Sequence, residues 1–352
     1  MIRLKDVAQK AEVSISTVSK ILNDPVTRRN FSVECVERVQ KAAADLGYTA
    51  NYHARSLQTG KSQAIGMLVG VGFDTASWDH FWAQLVGGVM IKTMQERYQF
   101  IAIGAREEQS ITETGLQFLR EGRIDGLVVP DYIRFIGDLD ILRQTESPVV
   151  IIGEMETDFP SVRLDERSGI AKAVEHLHEL GHRRVLWAGP DQDTPVVLRR
   201  KEAFFNALEE KGLQGSELKI PFKKAHRTSH FAASIARARQ TFLEYMDKPL
   251  EPTAVMCFEE SIAFGVATAL REKGLEIPAD VSLIGFDDIQ ADAIYPPMTV
   301  VSHMLPQMGR RAASLAIELA RDPDNEELLN NTTNVAIEAE LVIRESTGPA
   351  PS

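Results

Sequence analysis

The chain has 352 residues, of which 44% are hydrophobic and 25% charged, with two cysteines and a net charge of −11. That length asks for more than one core, the composition is globular, and two distant cysteines exclude a disulfide framework or a cysteine metal cluster. Residues 1–61 carry ten basic and six acidic side chains, a balance of +4 that leaves −15 for the remainder; a basic end on an acidic body suits a protein that meets phosphate at one end only.

Cys35 and Cys257 read as buried, reduced thiols. The N-terminal MIRLKDVAQK lacks the apolar run of a signal peptide, and the longest apolar runs, 64–71 and 149–153, fall far below a membrane span. These features predict a cytoplasmic, nucleoid-associated protein with no membrane partner.

Residues 4–11 place Leu4, Val7, Ala8 and Ala11 on one helical face, and residues 15–22 do the same with Val18, Ile21 and Leu22. Only Glu12, Val13 and Ser14 separate them, so the pair reads as a helix-turn-helix. Ser14 stands at the N-cap of the second helix. A third helix follows, with Ser32 as its N-cap, a stripe of Val36, Val39, Ala43 and Leu46, and Gly47 as its terminator. Residues 49–63 are a polar linker holding one short helix, Tyr52 to Gln58. From residue 64 short apolar runs alternate with helical periodicity. The predicted strands are Ile65–Val71, Phe100–Ile103, Gly126–Val129, Val149–Ile152, Val185–Trp187, Ala254–Phe258 and Ser282–Phe286. Such runs mark parallel sheets covered by helices.

Several stretches carry more than pattern: LKDVAQKAEVSISTVSKILN at 4–23, LGY at 46–48, ARSL at 54–57, IDGLVVP at 124–130, D-x-x-x-G at 165–169, HLHELGHRRVLWAGP at 176–190, IGFDD at 284–288, PPMTVV at 296–301 and ELVIREST at 340–347. In this order and spacing they resemble the LacI/GalR family of bacterial regulators over nearly the whole chain. The resemblance implies an N-terminal all-α helix-turn-helix domain plus an α/β two-lobed periplasmic-binding-protein-like domain on two doubly wound parallel sheets. The expected divisions are 1–50 for the DNA-binding head, 51–62 for the hinge helix and 63–347 for the body. Within the body the N-lobe is expected at about 63–160 and 292–325 and the C-lobe at about 161–291 and 330–347, with 348–352 a disordered tail. The lobe crossings are expected near Ser161, Gln290–Tyr295 and Asn325–Asn331.

The same resemblance implies a homodimer that binds a pseudo-palindromic operator and is controlled by a small-molecule effector, a sugar or sugar derivative, in the cleft between lobes. A repressor fits best. The second helix would lie in the major groove with Ile15 and Ser16 toward the bases and Lys20 one turn on. Lys20 is placed to donate to guanine. Ile15 either touches a thymine methyl or belongs to the core. Thr17, Ser19 and Asn23 suit phosphate contacts, and Arg28 and Arg29 either join them or are solvated loop charges. Leu57 matches the family's minor-groove wedge and Ala54 the small residue that lets the hinge helices approach. Two positions depart from the family: Arg3 at the usual N-cap, and Glu12 in a turn that, if it needs positive φ, costs on the order of 1 kcal/mol.

For the effector, Arg200 and Asp287 match the family's best-placed contacts; each is otherwise a surface salt bridge or a loop cap. Asp165 either touches ligand or caps the helix it opens. Asp79 and Phe81 stand where the family lines its cleft, though Phe81 also begins an amphipathic helix. His230 and Phe231 suggest a further wall. Glu259 replaces the family's usual amide, so it accepts without donating, and either serves a donor-rich effector or pairs with Arg200. No dinucleotide fingerprint, P-loop or nucleophile elbow occurs, and His176 and His178 point to different helix faces, so no enzyme, cofactor or metal is expected. The alternative reading is a solute-binding receptor without DNA function. With no C-terminal leucine heptad, a dimer is expected over a tetramer.

Overall fold

In a computed structural model, the structure describes residues 2–23, 27–48, 60–69, 80–105, 109–130, 138–153, 158–221, 230–247, 251–323 and 334–351. Contacts divide the chain into two units, Met1–Gln63 and Ala64–Ser352.

The first unit is helical: α1 (Leu4–Ala11), α2 (Ile15–Asn23) and α3 (Val33–Leu46), with a 3₁₀ turn at Thr27–Asn30. Val7, Ala8, Ala11, Val18, Ile21, Val39, Ala42 and Ala43 form its core. The caps sit where the sequence places them. Ser14 Oγ accepts the Thr17 amide at 3.0 Å, and Ser32 Oγ accepts the Cys35 amide at 3.3 Å. Gly47, at φ 63°, ends α3, with the Tyr48 amide returning to Ala43 O at 2.9 Å. Glu12 has φ 54°, so the turn does need the left-handed conformation that a glycine would take more cheaply. At Arg3 the missing N-cap oxygen is partly replaced from the other side, since Asp6 Oδ2 accepts the Arg3 amide at 2.8 Å. Two arginines tie the helix ends together: Arg38 Nε donates to Ala11 O at 2.9 Å and Arg28 Nε to Ile21 O at 2.7 Å.

The second unit holds two six-stranded sheets. In chain order it runs β1 (Ala64–Leu68), α4 (His80–Gln95), β2 (Gln99–Ile103), α5 (Ile111–Arg120), β3 (Gly126–Pro130), β4 (Val149–Ile152), β5 (Ser161–Asp165), α6 (Glu166–Glu179), β6 (Arg184–Pro190), α7 (Pro195–Glu210) and β7 (Gln214–Ile220). Then come α8 (His230–Tyr245), β8 (Ala254–Cys257), α9 (Glu260–Glu272), β9 (Ser282–Asp287), β10 (Thr299–Ser302), α10 (Leu305–Arg321), β11 (Asn334–Glu338) and β12 (Glu340–Val342). The first sheet has the order β11-β5-β4-β3-β1-β2, and the second β12-β10-β9-β8-β6-β7. Every pairing is parallel except β10 with β12. The seven predicted strands are all present. Edge strand β7, QGSELKI, escaped prediction because it is polar and mostly exposed.

Sheet membership moves all three lobe crossings. Ser161–Asp165 completes the first sheet, so the first crossing follows Asp165 rather than lying near Ser161. β10 pairs with β9, so the chain returns at His303–Met304 and not at Gln290–Tyr295. β11 and β12 lie in different sheets with only Ala339 between them, so the third crossing is there and not at Asn325–Asn331. The actual crossings are short and largely buried, and give no loop signal. The expected disordered tail is likewise ordered through Pro351. Ser346 Oγ accepts the Thr299 amide at 2.8 Å, Gly348 O lies 3.1 Å from His182 Nε2, and the Ala350 amide donates to Leu180 O at 2.8 Å. Cys257 is buried as expected, and Cys35 is only half-buried.

The crossings pack against one another. A Cβ on Gly169 of α6 would stand 2.6 Å from Ala339 Cβ and 2.6 Å from Val301 Cγ1. The D-x-x-x-G run thus has two jobs: Asp165 caps α6, and Gly169 lets the crossings meet its backbone. Gly169→Ala is expected to destabilise the body by about 1–3 kcal/mol through overpacking, read as a lower denaturation midpoint; an unchanged midpoint would contradict this packing.

Candidate functional site

The head presents one face of α2. Ile15 is 54% exposed, and Ser16 and Lys20 are exposed beside it, while Val18 and Ile21 are fully buried. Of the two readings of Ile15, core placement is therefore excluded. Lys20 makes no ion pair with any of the described residues. Thr17 and Ser19 are half-buried on the flank, and the Thr17 hydroxyl lies 2.9 Å from Ser14 Oγ. Arg28 and Arg29 part company: Arg28 spends its Nε on the end of α2, whereas Arg29 is exposed. Asn23 is the last residue of α2, with its side chain outside the described residues, as are Ala54 and Leu57.

In the body, two residues matched to ligand contacts, Arg200 and Asp287, are joined through His303. Arg200, on α7, is only 4% exposed. Its Nε pairs with Glu166 Oε1, its Nη1 donates to Phe258 O at 2.9 Å, and its Nη2 lies 3.1 Å from His303 Nε2. Its guanidinium carbon stands 3.9 Å from the Phe286 ring centre and 4.7 Å from that of Phe258. His303 Nδ1 in turn lies 2.6 Å from Asp287 Oδ1. Arginine can only donate, so Nε2 must accept, and Nδ1 carries the proton that Asp287 receives. Burial by itself raises the Asp287 carboxyl; the hydrogen bond from His303 and the charge of Arg200 outweigh it and hold the group below its ordinary range. Asp287 and Asp288 both have positive φ, 93° and 66°. His303 restrains the first, and Arg344 Nη2, 2.7 Å from Asp288 Oδ1, restrains the second.

The pairing of Glu259 with Arg200 is corrected: Glu166 takes the arginine. Glu259 Oε1 instead accepts from Ser234 Oγ at 2.8 Å and from Ser261 Oγ. Asp165 is a cap, its Oδ1 accepting the Ser168 amide at 3.2 Å. Asp79 lies outside the described residues, as does the side chain of Phe81, which falls in the first turn of α4. The His230 side chain is likewise not described, and the Phe231 ring packs edge-on to Phe264 at 5.7 Å. A cavity of about 200 Å³ opens at the carboxyl ends of β6, β7 and β8, with Gln192, Thr194, Ser234, Arg237, Phe258 and Glu259 on its wall. It sits where β7 and β8 leave β6 in opposite directions, the place where a doubly wound sheet opens a crevice.

Two family descriptions match: bacterial regulatory proteins of the lacI family over residues 3–51, and the periplasmic binding protein-like domain over residues 174–347. The chain belongs to the LacI family. It is 28% identical over 351 residues to the ribose operon repressor of Haemophilus influenzae, with 98% of each chain covered. It is 29% identical over 336 residues to the transcriptional repressor PurR of Aliivibrio salmonicida, covering 93% of this chain and 94% of that one. The solved Lac repressor dimer bound to operator and the anti-inducer ONPF shares the fold, with 23% identity, a TM-score of 0.71 and 99% of each chain covered. Among the described residues no helix is long and apolar enough to cross a membrane.

Four residues of this LacI-family body escaped sequence reasoning: Glu166, His303, Ser234 and Arg237. Glu166 follows Asp165, which drew the attention, and His303 follows a strand that read only as an apolar run. Glu260 was also missed. It is 1% exposed, and its carboxylate accepts the Ile289 amide at 3.1 Å and the Gln290 amide at 3.0 Å, pinning the loop after β9 to α9. Burial, reinforced by the nearby Asp287 and Asp288 charges, pushes it up to about 7. Its folded value thus exceeds its unfolded value, so the stabilisation is present below about 4.5 and is lost as pH rises through about 7. The full shift corresponds to about 3 kcal/mol. Across pH 5 to 8 the wild type is expected to lose more stability than Glu260→Gln in denaturant titrations; parallel pH profiles would contradict this.

Proposed function

We propose that this chain is a sequence-specific transcriptional repressor that binds a pseudo-palindromic operator as a homodimer and answers to a small molecule held in the crevice of the body. The carrying observation is the exposed face of α2. An isoleucine left 54% exposed beside Ser16 and an unpaired Lys20, at the capped start of the second helix, has no use inside the folded head. It suits a major groove, where Ile15 meets a thymine methyl and Lys20 a guanine. Thr17, Ser19, Asn23 and Arg29 fix the register on phosphates, and Ala54 and Leu57 serve the minor groove. Arg28 acts chiefly from within, holding the end of α2. The names of the Haemophilus and Aliivibrio relatives, both repressors, support the same reading.

In the body, the effector occupies the crevice at the ends of β6 and β8. Arg200 and Asp287 act on it as one unit joined through His303, with the arginine bonded to Phe258 on the crevice wall, and Glu259 faces the effector from that wall. Asp79 and Phe81 contact the effector, as the family resemblance implies. Effector and operator compete or cooperate through lobe rotation, with a reciprocal coupling of about 1–3 kcal/mol. The protein works in the cytoplasm and carries out no catalysis.

Selection of duplexes from a random pool by the purified protein is expected to yield a two-fold-related site. On that site Lys20→Ala costs about 1–3 kcal/mol and relaxes preference at one base position, whereas Arg29→Ala weakens all duplexes alike and lowers the salt slope by about one. Failure to retain any duplex in a salt-sensitive manner would overturn the proposal.

A further inference from the structure

Arg237 stands apart from the other charges of the second lobe. It lines the cavity at the ends of β6 to β8 and, among the described residues, forms no hydrogen bond or ion pair. A cation on a pocket wall with no protein partner is in the position of a group waiting for one. The same wall carries Glu259, tied to Ser234 one turn before Arg237 on α8. One of its oxygens, Oε1, already accepts from Ser234 and Ser261, which leaves Oε2 for a donor. Thr194 also lines the wall; it stands at the N-cap of α7, but its hydroxyl makes no capping bond. Gln192 adds an amide able to donate and accept. Phe258 supplies an apolar surface whose ring also stacks on Arg200.

We infer that this pocket takes a polyhydroxylated monocarboxylate, that is, a sugar acid, and that Arg237 is the residue that selects for the acid. This rests on the reading of the crevice as the effector site. The guanidinium offers a planar fork that matches one carboxylate in a bidentate pair. Beside it, Glu259 demands donors, which ring hydroxyls provide. The pocket therefore has a positive pole and a negative pole, and its net charge is near zero. A neutral sugar satisfies Glu259 but leaves the charge of Arg237 without a counterion. A sugar phosphate brings a second negative charge that meets no second cation on the described wall and is repelled by Glu259. A hydroxylated monoacid satisfies both poles.

The test is calorimetric titration of the full chain with glucuronate, galacturonate, glucose, galactose and glucose 6-phosphate. A uronate is expected to bind tightest. Arg237→Gln is expected to weaken it about tenfold or more, the usual consequence of losing a charge-assisted pair. The variant's thermal midpoint should be unchanged, since Arg237 holds no other described residue, and its preference for uronate over neutral sugar should be lost. Glu259→Gln removes the opposing charge and is expected to narrow the gap between uronate and glucose 6-phosphate. Neutral sugar binding as tight as uronate, or uronate binding indifferent to Arg237→Gln, overturns the inference and leaves the crevice reading intact. If no compound binds and none alters operator affinity, both fall together.

Discussion

The body depends on one buried charge. Arg200 is taken out of water on α7, and a guanidinium cannot be neutralised by losing its proton, so the fold must surround it with partners. Glu166 supplies the counter-charge, Phe258 O and His303 Nε2 accept two further hydrogens, and the Phe286 and Phe258 rings cover its faces. Those partners are not arbitrary in position. Glu166 is the first residue after the first lobe crossing, and His303 begins the second. The buried arginine therefore holds two of the three connections between lobes, and the third, at Ala339, is packed beneath Gly169.

Removing one partner from a buried ion pair typically costs about 3–5 kcal/mol, whereas exposed ion pairs contribute little. Glu166 and His303 are therefore held where Arg200 needs them. His303 passes the constraint on to Asp287, whose left-handed backbone would be costly without it. The head obeys simpler rules. Its core is small, its caps are local, and Ile15, outward at the start of α2 beside Ser16 and Lys20, marks the surface that suits a partner.

Much of this was legible in the sequence. Ser14, Ser32 and Gly47 announced the three helices of the head because capping chemistry is local and needs no tertiary context. The buried strands declared themselves through runs such as Val149–Ile152, which are apolar on both faces. What escaped depended on distant residues. β7 is polar because it lies at an edge; β10, β11 and β12 are short; and a crossing made by Ala339 alone has no turn residue to betray it. Arg200 and Asp287 were singled out as effector contacts, but the partners that hold them were not foreseen. Glu166 and His303 reach Arg200 across 34 and 103 residues of chain, and neither carries a local signal. Of the two readings of Glu259, pairing with Arg200 fails because only three dimensions show that Glu166 takes the arginine.

The account stands on the claim that the protein itself satisfies Arg200 before any effector arrives, with His303 as the neutral link to Asp287. Nitrogen-15 NMR of the ring nitrogens of His303 in the effector-free protein at neutral pH reads this directly, with His303→Gln to assign the signals. The account predicts a protonated Nδ1 and a bare Nε2 accepting from arginine. A ring protonated on both nitrogens, or carrying its single proton on Nε2, would show that Arg200 is not held in this way.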